Sequence, residues 1–243
     1  MIERAGHLTA VEIDRDLAQR LRARFAPREL TLIEGDALRI DWPALAAADA
    51  RPLSIVGNLP YHICTPLLFA LLPVAQRVRS QHFMLQKEVV DRIVAAPGGK
   101  DYGRLSVMLQ FRYRVTRLFV VPPGAFSPAP KVYSAIVRMV PYAAHELPDI
   151  DADAFARVVA AAFGQRRKTL RNALAPLLSE ARIRAAGVDP AARAETLPVS
   201  AFVALAAAVA AAWARCGRLA STRGALARRS RRGRARSVGA ARA

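Results

Sequence analysis

The sequence predicts an α/β fold, a doubly wound sheet followed by a small all-α domain, and three observations carry that expectation. From Leu8 to Asp101 short apolar runs alternate with segments of helical periodicity, the rhythm of strands linked through crossover helices. Polar residues stand directly after the first three apolar runs, at Glu12, Asp36 and Asn58, where open α/β sheets bind their ligands. From about residue 150 the pattern changes to helical segments rich in small residues.

The elements follow in order. Leu8 to Val11 reads as a strand ending at Glu12, and 15 to 25 as a helix. Leu30 to Ile33 is a second strand, ending at Glu34-Gly35-Asp36, and Leu53 to Val56 a third, ending at Gly57-Asn58. Pro66 to Leu72 begins a helix. His82 to Leu85 is a fourth strand that runs into a helix through Val94. After Gly103 come a helix and two β-rich runs, 115 to 121 and 132 to 140, on either side of a proline-rich loop at 122 to 130. Helices are expected at 151 to 163, 168 to 178 and 199 to 214. The chain therefore divides into a sheet domain over 1–149, a helical domain over 150–213, and an arginine-rich tail over 214–243 that is expected to be disordered.

Composition sets the class of partner. With 53% hydrophobic and 23% charged residues the 243-residue chain is neither fibrous nor disordered as a whole. The N-terminus lacks the apolar stretch of a signal peptide, and the alanine-rich run near 198 to 214 is too weakly hydrophobic to span a membrane, so a cytoplasmic location is expected. Cys64 and Cys216 have no CxxC spacing, and His7, His62, His82 and His145 have no ligand spacing, so no metal is expected. The net charge is 37 minus 19, or +18; removing the ten arginines of 214–243 leaves +8 on the rest. A basic body of that kind suits an acidic polymer, because each cation placed on a phosphate releases condensed counterions.

The most informative segment is Asn58-Leu59-Pro60-Tyr61, directly after an apolar strand. The exocyclic amine of adenine is a poor nucleophile because its lone pair is delocalised into the ring. Two acceptors on its N–H groups favour the pyramidal form and stabilise the charge that develops as a carbon is transferred. The Asn58 side chain can be one acceptor. Pro60 biases Leu59 toward an extended conformation, which can present the Leu59 carbonyl as the second. Tyr61 offers a ring on which an extruded base can stack. A plain strand-to-helix turn uses the same residue types. Glu12 can accept both hydroxyls of a ribose and Asp36 an adenine amine, although acidic side chains also end strands simply because turns are solvated. Arg166, Arg167, Lys168 and Arg171 lie within six residues, a density that suits phosphate contacts as well as a solvated face.

Taken together, these segments resemble the ribosomal RNA adenine N6-dimethyltransferases, in particular the bacterial small-subunit (16S) branch. The resemblance runs from residue 8 to about 213 on VEIDRDL at 11–17, GDAL at 35–38, GNLPY at 57–61, MLQKEVVDRI at 84–93, YGRLSVM at 102–108, FSPAPKVYSAIVR at 126–138 and AFGQRRKTLRNAL at 162–174. It implies a Rossmann-like class I methyltransferase sheet with S-adenosylmethionine as methyl donor. It places Glu12 on the donor's ribose, Asp36 near its adenine and Asn58 beside the methyl group. It implies that Tyr61 and Phe126 sandwich the flipped target adenine, Phe126 being held in a loop stiffened by Pro122, Pro123, Pro128 and Pro130. The implied substrate is two adjacent adenosines in the terminal-helix loop of 16S rRNA, each methylated twice, within a small-subunit assembly intermediate. A monomer is expected.

The chain departs from the family pattern at its start. No GxGxG follows a strand here, and the family's first strand, normally between the strands ending at Glu12 and Asn58, has no counterpart. Weak donor binding by residues 1–243 is therefore expected, and the alternative reading is a catalytically inactive RNA-binding or assembly remnant. A nicotinamide-dependent oxidoreductase lacks its GxGxxG. A DNA adenine methyltransferase usually has Pro-Pro after its Asp or Asn, which Leu59 does not match.

Overall fold

A computed structural model describes residues 2–165 and 167–213, and the chain forms two compact units. The first takes in the chain up to Val94 together with Leu109–Leu147; the second takes in Ala95–Met108 and the chain from Pro148. The arginine-rich tail and Cys216 lie outside the described residues.

In the first unit a short helix α1 (Ile2–Ala5) precedes strand β1 (Leu8–Glu12), helix α2 (Arg15–Arg24) and strand β2 (Leu30–Glu34). Asp14 starts α2 by accepting the backbone N–H groups of Asp16 and Leu17 at 2.9 and 3.1 Å, the cap an exposed helix start requires. β1 and β2 pair in parallel, Leu8 opposite Leu30 and Glu12 opposite Glu34. A second sheet holds β3 (Leu53–Asn58), β4 (Val78–Gln86), β5 (Tyr113–Val121) and β6 (Ser134–Pro141) in the order β3-β4-β6-β5. The β3–β4 pair is parallel and both pairs of β6 are antiparallel. Among the described residues no ladder joins β1 to β3. The α/β expectation is met by a mixed sheet in two pieces, divided between the strands that end at Glu12 and Asn58.

Helices α3 (Trp42–Ala47), α4 (Cys64–Ala70) and α5 (Lys87–Val94) complete this unit's crossovers, with the end of α6 (Arg104–Arg112). α3 was not expected; Asp41 caps it through the Ala44 N–H at 3.0 Å, and the Trp42 indole donates to the Ala37 carbonyl at 3.1 Å. One face of the larger sheet is core: Phe83 and Leu85 of β4 and Ala135, Val137 and Met139 of β6 are buried. Tyr113 is buried with them, its hydroxyl accepting from Gln81 Nε2 at 2.9 Å and donating to the Leu71 carbonyl at 3.4 Å. Burial pushes the Tyr113 phenol pKa well up, so it stays protonated and can donate. On the opposite face one row crosses all four strands, Asn58, Met84, Ile136 and Phe119, and its ends are open to solvent.

The second unit is all helical among its described residues: α7 (Ala152–Gly164), α8 (Leu170–Ala173), α9 (Glu180–Ala185) and α10, residues 199–213. Asp151 caps α7 through the Ala154 N–H at 2.8 Å. Phe155, Leu170, Leu174, Ile183 and Phe202 form the buried core. The boundary expected at 149/150 needs correction, because Ala95–Met108 belongs to this unit. Tyr102 explains it: its ring meets Phe163 edge-on at 6.3 Å and its hydroxyl donates to the Leu197 carbonyl at 2.9 Å, while Gly98 N–H donates to the Glu195 carbonyl at 2.7 Å. Phe163 in turn stacks on Phe202 at 5.6 Å. The helix expected over 168 to 178 also shortens to α8. The N–H groups of Leu170 and Arg171 donate to the Ala192 and Pro190 carbonyls at 2.9 and 3.0 Å, and Pro176 has no N–H with which to continue a helix. α9 went unforeseen.

Candidate active site

The site is built where β3 ends. Gly57 is the last residue before Asn58, and a Cβ added there would meet Leu59 Cδ2 at 3.0 Å and the Phe83 ring at 3.5 Å. Glycine at this position lets the Leu59 side chain fold back into the core, where it is 9% exposed. Leu59 N–H donates to the Met84 carbonyl at 3.3 Å, prolonging the β3–β4 ladder by one bond. The Pro60 carbonyl then accepts from Ile63 N–H at 3.1 Å and from the Cys64 thiol at 3.3 Å, which closes the turn onto α4. Burial pushes the Cys64 thiol pKa up, so it remains a protonated donor rather than a nucleophile.

This turn leaves its polar groups outward. Asn58 is exposed, and its amide has no hydrogen bond within the described residues. The Leu59 carbonyl lies 3.8 Å from Cys64 Sγ, a weak donor, and keeps acceptor capacity. Tyr61 is 40% exposed, and its hydroxyl lies 3.4 Å from the Oγ of Ser134, a side chain buried at the start of β6.

The two carboxylates sit at the ends of the smaller sheet. Glu12 is half-buried, and its Oε1 accepts Asp14 N–H at 2.9 Å. Asp36 is half-buried as well, and its Oδ1 accepts Leu38 N–H at 2.9 Å. Each spends one oxygen on its own turn and, among the described residues, has a second available. Gly35 N–H donates to the Glu12 carbonyl at 2.8 Å, which brings these two strand ends together. Asn58 belongs to the other sheet; the turn after Asp36, Ala37–Arg39, packs on α4, and α3 packs on the turn Leu72–Arg77 before β4.

Phe126 is half-buried in the β5–β6 connection, its N–H donating to the Pro123 carbonyl at 3.1 Å, and the Ser127–Pro128 peptide that follows is cis. The same connection is held from below by Lys87, whose N–H donates to the Tyr133 carbonyl at 2.9 Å. The Lys87 ammonium lies 2.5 Å from Asp91 Oδ2, and Arg117 lies 2.6 Å from Asp91 Oδ1. Partial burial pushes the Asp91 pKa up, but hydrogen bonds and charge from Lys87 and Arg117 outweigh that and hold it below its ordinary value. A carboxylate with a depressed folded pKa contributes stability above its unfolded value, lost as pH falls through the folded one. Asp91→Asn is therefore expected to cost about 1–3 kcal/mol at pH 7, with the difference from wild type vanishing in strongly acidic urea titrations. A constant difference down to acid would contradict it.

In the second unit Arg167, Lys168 and Arg171 are all exposed around α8, with Lys168 N–H donating to the Gln165 carbonyl at 2.9 Å. Arg166 lies outside the described residues. Three positions that shape the site were not foreseen as such. Ser134 was visible as the polar residue opening an apolar run. Cys64 stood outside every recognised pattern, and the need for glycine at 57 depends on where Leu59 packs.

A model of the ribosomal RNA adenine dimethylase family matches residues 1–211 of this chain. The chain belongs to the ribosomal RNA adenine dimethylase family. Among similar proteins, the ribosomal RNA small subunit methyltransferase A of Aromatoleum aromaticum is 60% identical over 205 residues, 84% of this chain and 76% of that protein. The protein of the same name from Thiobacillus denitrificans is 55% identical over 205 residues, covering 84% and 79%. In fold the chain is similar to a dimethyladenosine transferase from Plasmodium falciparum, TM-score 0.65 at 23% identity, covering 82% of this chain and 80% of that one. A 23S rRNA methyltransferase gives 0.61 at 24% identity, covering 86% and 84%. As a ribosomal RNA adenine dimethylase the chain must hold an adenine amine, and the outward polar groups of the Asn58 turn are the candidates.

The dimethylase turn is sensitive to volume at one glycine. Gly57→Ala is expected to cost about 1–3 kcal/mol, read as a lower denaturant midpoint, because Leu59 must be displaced. Gly35→Ala, with nothing within 4 Å of an added Cβ, is expected to be near neutral. Equal losses at both positions would show that Leu59 packing is not the cause.

Proposed function

We propose that this chain transfers methyl groups from S-adenosylmethionine to N6 of two adjacent adenosines in the 3′-terminal helix loop of 16S rRNA, dimethylating each in the cytoplasm during small-subunit biogenesis. The observation that carries the reading is the Asn58-Leu59-Pro60-Tyr61 turn: an unpartnered amide and an exposed aromatic ring at the end of a parallel strand, in a chain of this family. The donor supplies an electrophilic methyl group beside a positively charged sulfur. Glu12 and Asp36 each have a carboxylate oxygen available, suited to a ribose diol and an adenine amine respectively. Asn58 Oδ1 and the Leu59 carbonyl accept the N–H groups of the target amine, which favours its nucleophilic form and stabilises the developing charge. The proton needs no strong base, since the alkylated amine is acidic and loses it to water.

Tyr61 presents its ring to the extruded base, with Phe126 on the loop that leads to Ser134. Arg167, Lys168 and Arg171 contact phosphates, and with Arg166 they supply affinity that falls with salt. The carrier of these roles acts as a monomer on a small-subunit assembly intermediate, without a metal. Incubation with labelled S-adenosylmethionine is expected to label unmethylated small subunits at N6-dimethyladenosine and to leave already methylated subunits unlabelled. Absence of label on the unmethylated subunits at saturating donor would overturn the reading.

A further inference from the structure

Ser134 opens β6 and is only 2% exposed, although its side chain is a hydroxyl. Buried hydroxyls are stable when they have a hydrogen-bond partner, and among the described residues this one has a single partner, the Tyr61 hydroxyl at 3.4 Å. The Ser134 backbone is held on both sides, opposite Gln86 of β4 and Val121 of β5. Tyr61 has no such frame: it is 40% exposed on the turn between β3 and α4. Its hydroxyl likewise has no second partner among the described residues. The contact therefore ties the free end of an exposed ring to a residue fixed in the sheet, two strands away from the turn that carries the ring.

Resting on the reading of the chain as an RNA adenine methyltransferase, we propose that Ser134 is a positioning residue that holds the Tyr61 ring in the orientation on which the extruded adenine stacks. A tyrosine on an exposed turn is free to turn about its side-chain torsions, and a base captured on a swinging ring is carried away from Asn58 and the Leu59 carbonyl. Groups that hold a reacting atom must be fixed to within about half an ångström. Anchoring Tyr61 at its hydroxyl supplies that restraint at the ring edge and takes up none of the face on which a base stacks. Ser134 is too deeply buried to meet RNA itself, so its effect passes through Tyr61.

The test is a double-mutant cycle in the full chain, with Ser134→Ala, Tyr61→Phe and the two combined. Each protein is melted, and its single-turnover transfer to unmethylated small subunits is measured at saturating labelled S-adenosylmethionine. Ser134→Ala removes the buried hydroxyl together with its need for a partner, so its melting temperature is expected to match wild type. Tyr61→Phe leaves that hydroxyl buried and unpaired and is expected to melt roughly 2–10 °C lower, and adding Ser134→Ala is expected to restore the melting temperature. Transfer is expected to fall about 2- to 10-fold in Ser134→Ala, by the same factor in Tyr61→Phe, and no further in the double variant. A merely structural role would restore transfer along with the melting temperature in the double variant; that result would overturn the proposal, and so would losses that multiply. If the wild type transfers methyl groups and Ser134→Ala matches it, the positioning role alone fails. If the wild type transfers none, the functional reading fails and the proposal with it.

Discussion

Replacing Asn58 by alanine is expected to lower methyl transfer by about 10²–10³-fold at saturating donor while leaving binding to unmethylated small subunits within about twofold. The Asn58 side chain is exposed at the end of β3 and bonded to nothing else among the described residues, so its loss removes no internal contact. Surface substitutions of that kind change stability by about half a kcal/mol or less. What it removes is an acceptor aimed at charge that develops only as the amine is alkylated, a loss that falls on the chemical step and not on the ground state. Single-turnover transfer of a labelled methyl group, paired with filter binding of the same subunits, separates the two. Transfer above a tenth of the wild-type rate would mean that the Leu59 carbonyl alone supplies the acceptor, and parallel loss of subunit binding would mean that Asn58 reads the RNA instead.

The parts of this site that were legible in the sequence are those fixed by local chemistry. β1, β2 and β3 each end where a polar residue follows an apolar run, so Glu12, Asp36 and Asn58 could be placed at strand ends before any pairing was known. α2 and α7 carry Asp caps that mark their starts. Illegible were the features that depend on distant partners. α8 starts only at Leu170, where the carbonyls of Pro190 and Ala192, some twenty residues downstream, satisfy the free N–H groups of its first turn. Ala95–Met108 joins the helical unit through Tyr102, whose partners Phe163 and Leu197 lie 61 and 95 residues away. Ser134 reaches Tyr61 only because β6 lies beside β4, a pairing that residue spacing does not reveal.

Binding of S-adenosylmethionine by residues 1–243 is expected to be weak, with a Kd above about 100 µM, equivalent to less than about 5.5 kcal/mol. Its ligands are divided between two sheets: Glu12 and Asp36 belong to the β1–β2 pair, and Asn58 ends β3, with no ladder joining β1 to β3 among the described residues. A site holds its ligand tightly when its groups are fixed within about half an ångström, and hydrogen-bonded strands are how an α/β sheet achieves that. Here the two strand groups meet instead through packing of connecting elements, the turn Ala37–Arg39 on α4 and α3 on the turn Leu72–Arg77. Nearby apolar side chains are correspondingly uncovered: Ile13 is 67% exposed, Leu17 45% and Val56 42%. A ligand that must bring two loosely joined groups into register gives up part of its binding energy in ordering them. Calorimetric titration measures this directly, and the same weakness is why transfer by Asn58 variants must be compared at saturating donor. A micromolar Kd would contradict the expectation and mean that the packing of the connecting elements is rigid enough to hold Glu12, Asp36 and Asn58 in register without a shared ladder.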